Sequence, residues 1–220
     1  MIYNIISCIP ENILKILLYT FNWFLITNII PEQWCEFNIV PIIKPNKPTH
    51  EIQSYRLTVL SNCFRKIFEK LIDTVIEYTF TWKKNRWPKS QYGFKKGHST
   101  LNNLALFYTE ILIAFHRYSI WDAIFIDIQQ AYDDIWPDIV TNCLKFYNIP
   151  KQIMLTIYTL ITRRKIYLSN SNDHLECRYS STGLPQGSSL SPLFFTLYVG
   201  GLESEIIQYC RITQFADDIS

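Results

Sequence analysis

A chain of 220 residues with 48% hydrophobic and 18% charged residues is long enough to bury one sizeable core, and its composition excludes intrinsic disorder. A formal net charge of +2 excludes a protein that holds polyanions by bulk charge alone, so any such binding must come from local basic clusters. Six scattered Cys (8, 35, 63, 143, 177 and 210) without a CxxC pair argue against a zinc site or a disulfide framework and fit reduced thiols in an intracellular protein.

The first element is Ile13 to Ile30, ILKILLYTFNWFLITNII. It is apolar enough to imitate a membrane span, but Lys15, Asn22 and Asn28 interrupt it. Leu14, Leu17, Leu18, Phe21 and Leu25 fall on one helical face, as a packed amphipathic helix requires. With no basic segment before it and no small-residue cleavage site after it, a packing helix is preferred to an anchor, and no membrane association is expected. Glu36 to Pro48 reads as a strand entering a basic, Pro-broken turn. Leu60 to Phe80 has helical spacing, with Phe64, Ile67, Phe68, Leu71 and Ile72 on one face.

Trp82 to Lys96, WKKNRWPKSQYGFKK, interleaves six Lys or Arg with aromatics, and Thr162 to Lys165, TRRK, forms a second basic knot. Cations that neutralise phosphates beside rings that stack on bases suit a single strand or a hybrid duplex, although a solvated loop with a few packed rings has the same pattern. Ser99 or Thr100 can cap a helix over Leu101 to about His116. Asp122 to Ile128, DAIFIDI, is a strand-length apolar run with Asp127 near its end. Pro137 and Asp138 suit the first turn of a helix reaching Tyr147. KQIMLTIYTLI follows Pro150, and Lys165 to Ser180 reads as a hairpin around Asn170 to Asp173. GLPQGSSLSP is a Gly-rich loop after which Pro192 opens a helix to about Ile206. Cys210 to Asp217 is a closing strand, with the Asp217–Asp218 pair at its turn. Strands and helices mix without regular βαβ alternation, which predicts α+β.

The carboxylates carry the chemistry. An Asp at the end of an apolar strand is costly unless paired or bound to a cation. If the strands of Asp127 and Asp217 are neighbours, their carboxylates converge and suit Mg²⁺, a hard cation; two such ions about 4 Å apart would activate a 3′-hydroxyl and stabilise leaving pyrophosphate. Alternation makes Asp217 and Asp218 unequal, and Asp217 is expected to share the face of Asp127. Taken alone, the Asp217–Asp218 pair reads as an ordinary turn rather than a metal site; it is the other motifs that reverse this reading.

Set in order along the chain, these motifs resemble the reverse transcriptases of non-LTR (LINE-type, jockey-like) retrotransposons. FIDIQQAYDDI resembles the first Asp motif of that family, GLPQGSSLSP its Gln-Gly motif, and FADD its final motif. PEQWCEFNIVPIIKPNKP, SYRLTVLSNCFRKIFEKLI and QYGFKKGHST resemble its finger-region blocks. Leu57 stands where the family usually has Pro, and Gln130 where Lys is frequent.

The resemblance implies the fingers and palm of a right-hand polymerase, with a four-stranded antiparallel palm sheet backed by helices and the thumb missing. Residues 1–37 become an N-terminal helical extension and 38–220 a truncated reverse transcriptase domain, with fingers at about 38–118 and palm at about 119–220. The return strand after the Asp pair falls, on this expectation, beyond Ser220. Asp127 and Asp217 would hold two Mg²⁺ ions, with Asp218 accessory. Tyr132 would be a steric gate against a ribose 2′-hydroxyl. Gln186 and Gly187 would line the nucleotide pocket, and Arg56 would clamp the triphosphate with help from Lys44 or Lys47. Asp133 and Asp134 are expected to stabilise a helix start, and the His residues receive no role.

The implied partners are an RNA template, a DNA primer and dNTPs. An alternative is a catalytically dead truncated remnant that only binds nucleic acid. A viral RNA-dependent RNA polymerase is a rival disfavoured by Ala216 and Tyr132, because such enzymes usually have Gly before the Asp pair and a smaller or polar gate.

Overall fold

Helix α1 (Glu11–Thr27) turns Phe21 and Phe24 inward and ends at Asn28 in the left-handed region (φ 56°), a conformation Asn tolerates at a helix end. The two rings meet Trp34, from a 3-10 turn at Glu32–Cys35, and Phe68 of helix α2 (Cys63–Tyr78), with ring centroids 5.1 to 6.2 Å apart. That is the tilted, edge-on spacing that aromatic quadrupoles favour. Leu14 and Leu18 stay exposed, so the buried stripe of α1 is rotated toward the phenylalanines from the face expected above. In the computed structural model, which describes residues 8–80, 87–129, 131–169, 175–206 and 209–220, no described helix is long and apolar enough to cross a membrane.

Asn62 starts α2 by accepting the Phe64 N–H at 2.9 Å, a side-chain N-cap. Its buried face carries Phe68, Ile72 and Ile76, but also Arg65, Glu69 and Asp73. Phe64 and Leu71, expected inside, are exposed. Counting only apolar residues therefore puts the core face of this helix too far round.

Strand β1 (Glu36–Ile43) pairs antiparallel with β2 (Tyr55–Leu60) and parallel with β4 (Arg164–Ser169), which pairs antiparallel with β5 (Leu175–Ser180). The order is β2-β1-β4-β5. The turn of the β4–β5 hairpin, and Trp82 to Arg86 of the basic loop, lie outside the described residues. A second, fully antiparallel sheet contains β3 (Ile126–Asp127), β7 (Asp218–Ile219) and β6 (Gln214–Phe215) in the order β3-β7-β6.

This second sheet corrects three expectations. It has three strands, not four, among the described residues. The run 122–128 is extended into the sheet only at Ile126–Asp127; Ile124 and Phe125 are 75% and 72% exposed, so little burial rewards a longer strand there. The return strand after the Asp pair is present as β7 and lies in the middle of the sheet.

The later helices begin where their signals predict. For α3 (Thr100–His116), Asn102 Oδ1 accepts both the N–H and the hydroxyl of Ser99 at 2.9 Å. Helix α4 (Pro137–Phe146) begins on its proline, α5 (Lys151–Thr162) follows Pro150, and α6 (Ser191–Ile206) follows the Gly-rich loop. Helix α5 lies against α1 and α4, and α4 against α6. Leu144, Ile157, Leu160, Phe194 and Phe195 from α4, α5 and α6 are buried in the same core as the α1–α2 aromatics. The architecture is α+β.

Candidate active site

The β6–β7 hairpin turns on two residues, Ala216 and Asp217, between Phe215 and its partner Asp218. Ala216 adopts φ 56°, a left-handed conformation that costs a non-Gly residue and persists only when its surroundings hold it. Gln91, fully buried, is what holds it. Its Oε1 accepts the N–H groups of Ala216 and Gly93 at 3.1 and 2.8 Å, and its Nε2 donates to the Ala216 carbonyl at 3.3 Å. Residues 90–92 also run beside β6, with the Gln214 N–H donating to Ser90 O and the Tyr92 N–H to Gln214 O, both at 2.8 Å. Gly93 is needed because a Cβ there would stand 2.3 Å from the Ala216 nitrogen. The QYGF segment thus fixes the turn that presents the acidic pair.

Asp127 pairs directly with Asp218, and Ile126 with Ile219, while the Ile128 N–H donates to Asp217 O at 3.2 Å. Directly opposed residues of an antiparallel pair share a face. Asp218 therefore shares the face of Asp127, and Asp217 occupies the turn next to it. The sequence-based expectation paired Asp217 with Asp127; the return strand intervenes because β7, not β6, neighbours β3.

All three carboxylates are exposed, and none is in an ion pair among the described residues. Three adjoining acidic oxygen donors, unpaired among the described residues, are a donor set that fits a hard divalent ion. They are not drawn in to coordination distance: among the described residues no group of three His, Cys, Asp or Glu could hold a metal as it stands. A cavity of about 500 Å³ opens between α3 and this sheet, with Leu104, Phe107, Phe125, Phe215, Asp127 and Asp218 in its lining.

Tyr132 is half-buried and stacks on Phe195 at 5.3 Å. Burial, and next the charge of Asp217, push its phenol up to about 12; the ring is therefore neutral at physiological pH and close enough to feel the acidic turn. Its carbonyl accepts the Leu184 N–H at 2.6 Å, which connects this half of the site to the GLPQG loop. There the Gln186 carbonyl accepts the Val59 N–H of β2 at 2.9 Å, and its Nε2 donates to Asp133 Oδ1 over a long 3.4 Å. Gly187 has φ 127°, and a Cβ would stand 2.5 Å from Val59 O. The close approach that demands glycine is thus to β2. Asp133 serves Gln186 rather than a helix start, since α4 begins only at Pro137.

Arg56 is exposed on β2, opposite Ile42. Lys44 lies in the β1–β2 connection, its N–H donating to Ser54 O at 2.7 Å and its ammonium to Gln53 O at 2.9 Å. Lys47 is exposed in the same connection. The residues picked from sequence thus form two groups: the acidic turn with Tyr132, and the Gln186–Gly187 turn seated on the strand that carries Arg56.

Sequence reading missed Gln91, Arg65, Glu69 and Arg164. For two of them a signal exists: Arg65 and Glu69 are an i,i+4 pair of opposite charge in the same helical arc as Phe68, Ile72 and Ile76. Arg164 was grouped with a basic knot, but it is 5% exposed and its guanidinium donates to Thr182 O, to Gly183 O at 3.0 Å and to Ser180 Oγ at 3.2 Å. It faces a loop of its own chain.

Residues 42–220 match the family described as reverse transcriptase (RNA-dependent DNA polymerase). The chain is 30% identical over 222 residues to the probable RNA-directed DNA polymerase from transposon BS of Drosophila melanogaster, covering 98% of this chain and 24% of the relative. It is 28% identical over 200 residues to the RNA-directed DNA polymerase from mobile element jockey of the same species, covering 90% and 21%. It therefore spans about a quarter of the length of these curated relatives. Among solved structures it is similar to apo telomerase from Candida tropicalis (TM-score 0.63, 10% identity, 95% of this chain and 44% of that chain). Telomerase from Candida albicans in complex with a fragment of telomeric RNA is as similar (TM-score 0.63, 11% identity, 96% and 42%); at such identities the likeness shows the fold alone. With most of its length inside the family match, and the ordered Asp, Gln-Gly and FADD motifs on a polymerase fold, the chain belongs to the reverse transcriptase family.

Proposed function

We propose that this chain carries the catalytic centre of a retrotransposon RNA-directed DNA polymerase, transferring dNTPs to a primer 3′-hydroxyl by two-metal chemistry. The observation that carries the reading is the register of Asp127 against Asp218, with Asp217 in the turn beside them and none of the three in an ion pair among the described residues. Exposed carboxylates gathered in this way gain most from a ligand of opposite charge. Bound Mg²⁺ would supply charge neutralisation on the triphosphate and a more acidic 3′-hydroxyl.

The remaining work falls to the chain's own side chains. Asp127, Asp217 and Asp218 would hold the ions. Tyr132, a neutral ring fixed on Phe195, would fill the space a ribose 2′-hydroxyl needs. Gln186 and Gly187 would support the nucleotide and template, and Arg56 would meet phosphate oxygens with its planar fork, with Lys44 as a weaker contributor. RNA template, DNA primer and dNTP are the partners this chemistry requires, and catalysis would rest on positioning and charge stabilisation.

The test is primer extension by the full-length protein on an RNA template, with dNTPs or rNTPs, in Mg²⁺ or EDTA. Mg²⁺-dependent extension with dNTPs preferred supports the reading. Binding of the hybrid without any extension would favour the remnant that only binds nucleic acid, and preference for rNTPs would favour an RNA polymerase.

A further inference from the structure

Arg65 and Glu69 are fully buried, a costly place for two charges unless every polar atom is used. They are used. Arg65 Nε donates to Glu69 Oε1 at 2.6 Å, and its other nitrogens donate to Trp34 O at 2.6 Å and Leu160 O at 3.0 Å. Its guanidinium also lies 4.5 Å from the centre of the Phe37 ring. Glu69 Oε2 points the other way, accepting the Ser188 hydroxyl at 2.8 Å and the Ser189 N–H at 3.0 Å.

The opposite end of the same loop is gripped by Arg164, through the carbonyls of Thr182 and Gly183. Arg164 lies within the field of Arg65 and of Asp133: burial, then the Arg65 charge, lower it to about 10, and Asp133 partly offsets this. It remains a cation at neutral pH. One buried cluster of charges therefore holds both ends of residues 182–189, with Gln186 and Gly187 in the middle.

We propose that Glu69 and Arg164 are positioning residues for the Gln186–Gly187 turn, fixing it against β2 so that the nucleotide meets a preformed support. The inference rests on the polymerase reading for its effect on the nucleotide, but not for the lock itself. Only a carboxylate at position 69 can satisfy Arg65 with one oxygen and the Ser188–Ser189 donors with the other. A pair serving the fold alone would need no partner in this loop.

The test uses the full-length protein with Ser188→Ala, Glu69→Gln and Ser188→Thr. In single-nucleotide extension, Ser188→Ala should raise the KM for dNTP by about three- to tenfold, a part of the roughly ten- to hundredfold that one charge-assisted hydrogen bond is worth, with kcat within about twofold. Glu69→Gln should raise it further, and the double variant should be no worse than Glu69→Gln alone, since both remove the same contact. Ser188→Thr, which keeps the hydroxyl, should restore the parent KM. In hydrogen exchange, the amides of 186–189 should exchange at least about tenfold faster in Ser188→Ala while α2 and α5 keep their protection. An unchanged KM with unchanged exchange at 186–189, or exchange raised evenly across the core, would overturn the proposal. If the polymerase reading itself fails, the exchange pattern still decides whether the lock exists.

Discussion

Replacing Gln91 by Leu should loosen the acidic turn without touching a carboxylate. Leu is close in size and suits a fully buried site, so the main change is the loss of three hydrogen bonds at 2.8, 3.1 and 3.3 Å. The Gly93 and Ala216 N–H groups lose their acceptor, and the Ala216 carbonyl loses a donor. A buried donor left unsatisfied costs about 1–3 kcal/mol. Gly93 is buried and bears the full cost; Ala216 is half-buried and can turn partly to water. The expected loss is about 2–4 kcal/mol, which for a chain of this size lowers Tm by roughly 5–15 °C. Urea unfolding and thermal melts followed by circular dichroism measure it directly. Gly93→Ala should act in the same direction, because the added Cβ meets the Ala216 nitrogen at 2.3 Å. A loss under about 0.5 kcal/mol for Gln91→Leu would refute the view that Gln91 holds the turn.

Three further outcomes follow from the same geometry. Gly187→Ala should destabilise the protein by about 1–3 kcal/mol in urea unfolding, since the Cβ meets Val59 O at 2.5 Å and φ is 127°. Tyr132 titrates at about 12 when folded and near about 10 when unfolded. The unfolded chain thus loses its proton first; stability is intact below about pH 10 and falls as pH rises toward about 12, and Tyr132→Phe should flatten that part of the stability–pH curve. On the polymerase reading, Tyr132→Val should raise rNTP use relative to dNTP by about 10–100-fold in single-nucleotide incorporation.

Much of this molecule is legible in its sequence, for physical reasons that differ by element. Pro137, Pro192 and Ser99 act through local backbone chemistry, so the helix starts they signal need no tertiary knowledge. The β4–β5 hairpin and β1 arise from apolar runs bounded by turn residues, which is also a local pattern; β2 carries no such signal of its own and is defined by its pairing with β1. The burial of Arg65 and Glu69 is not local. It depends on carbonyls of Trp34 and Leu160 and on Ser188, which lie 31, 95 and 119 positions from their partners, and an apolar count of α2 discards these residues by construction. The same holds for Gln91, whose partner Ala216 is 125 positions away. The central place of β7 was illegible because two residues, Asp218 and Ile219, are too few to show periodicity. Motif order supplied what periodicity could not, since six short blocks in sequence point to a family that none of them specifies alone.

The central claim is that Asp127, with the Asp217–Asp218 turn, forms the metal-holding centre of a polymerase. The most direct measurement is the single-turnover rate of dNTP addition on an RNA template by the full-length protein and its Asp127→Asn variant, at matched circular dichroism and Tm. Asn keeps the shape of the side chain and removes its charge, so the account predicts a fall of at least about 10²–10³-fold with folding unchanged. A variant that adds dNTPs within about threefold of the parent rate would contradict it.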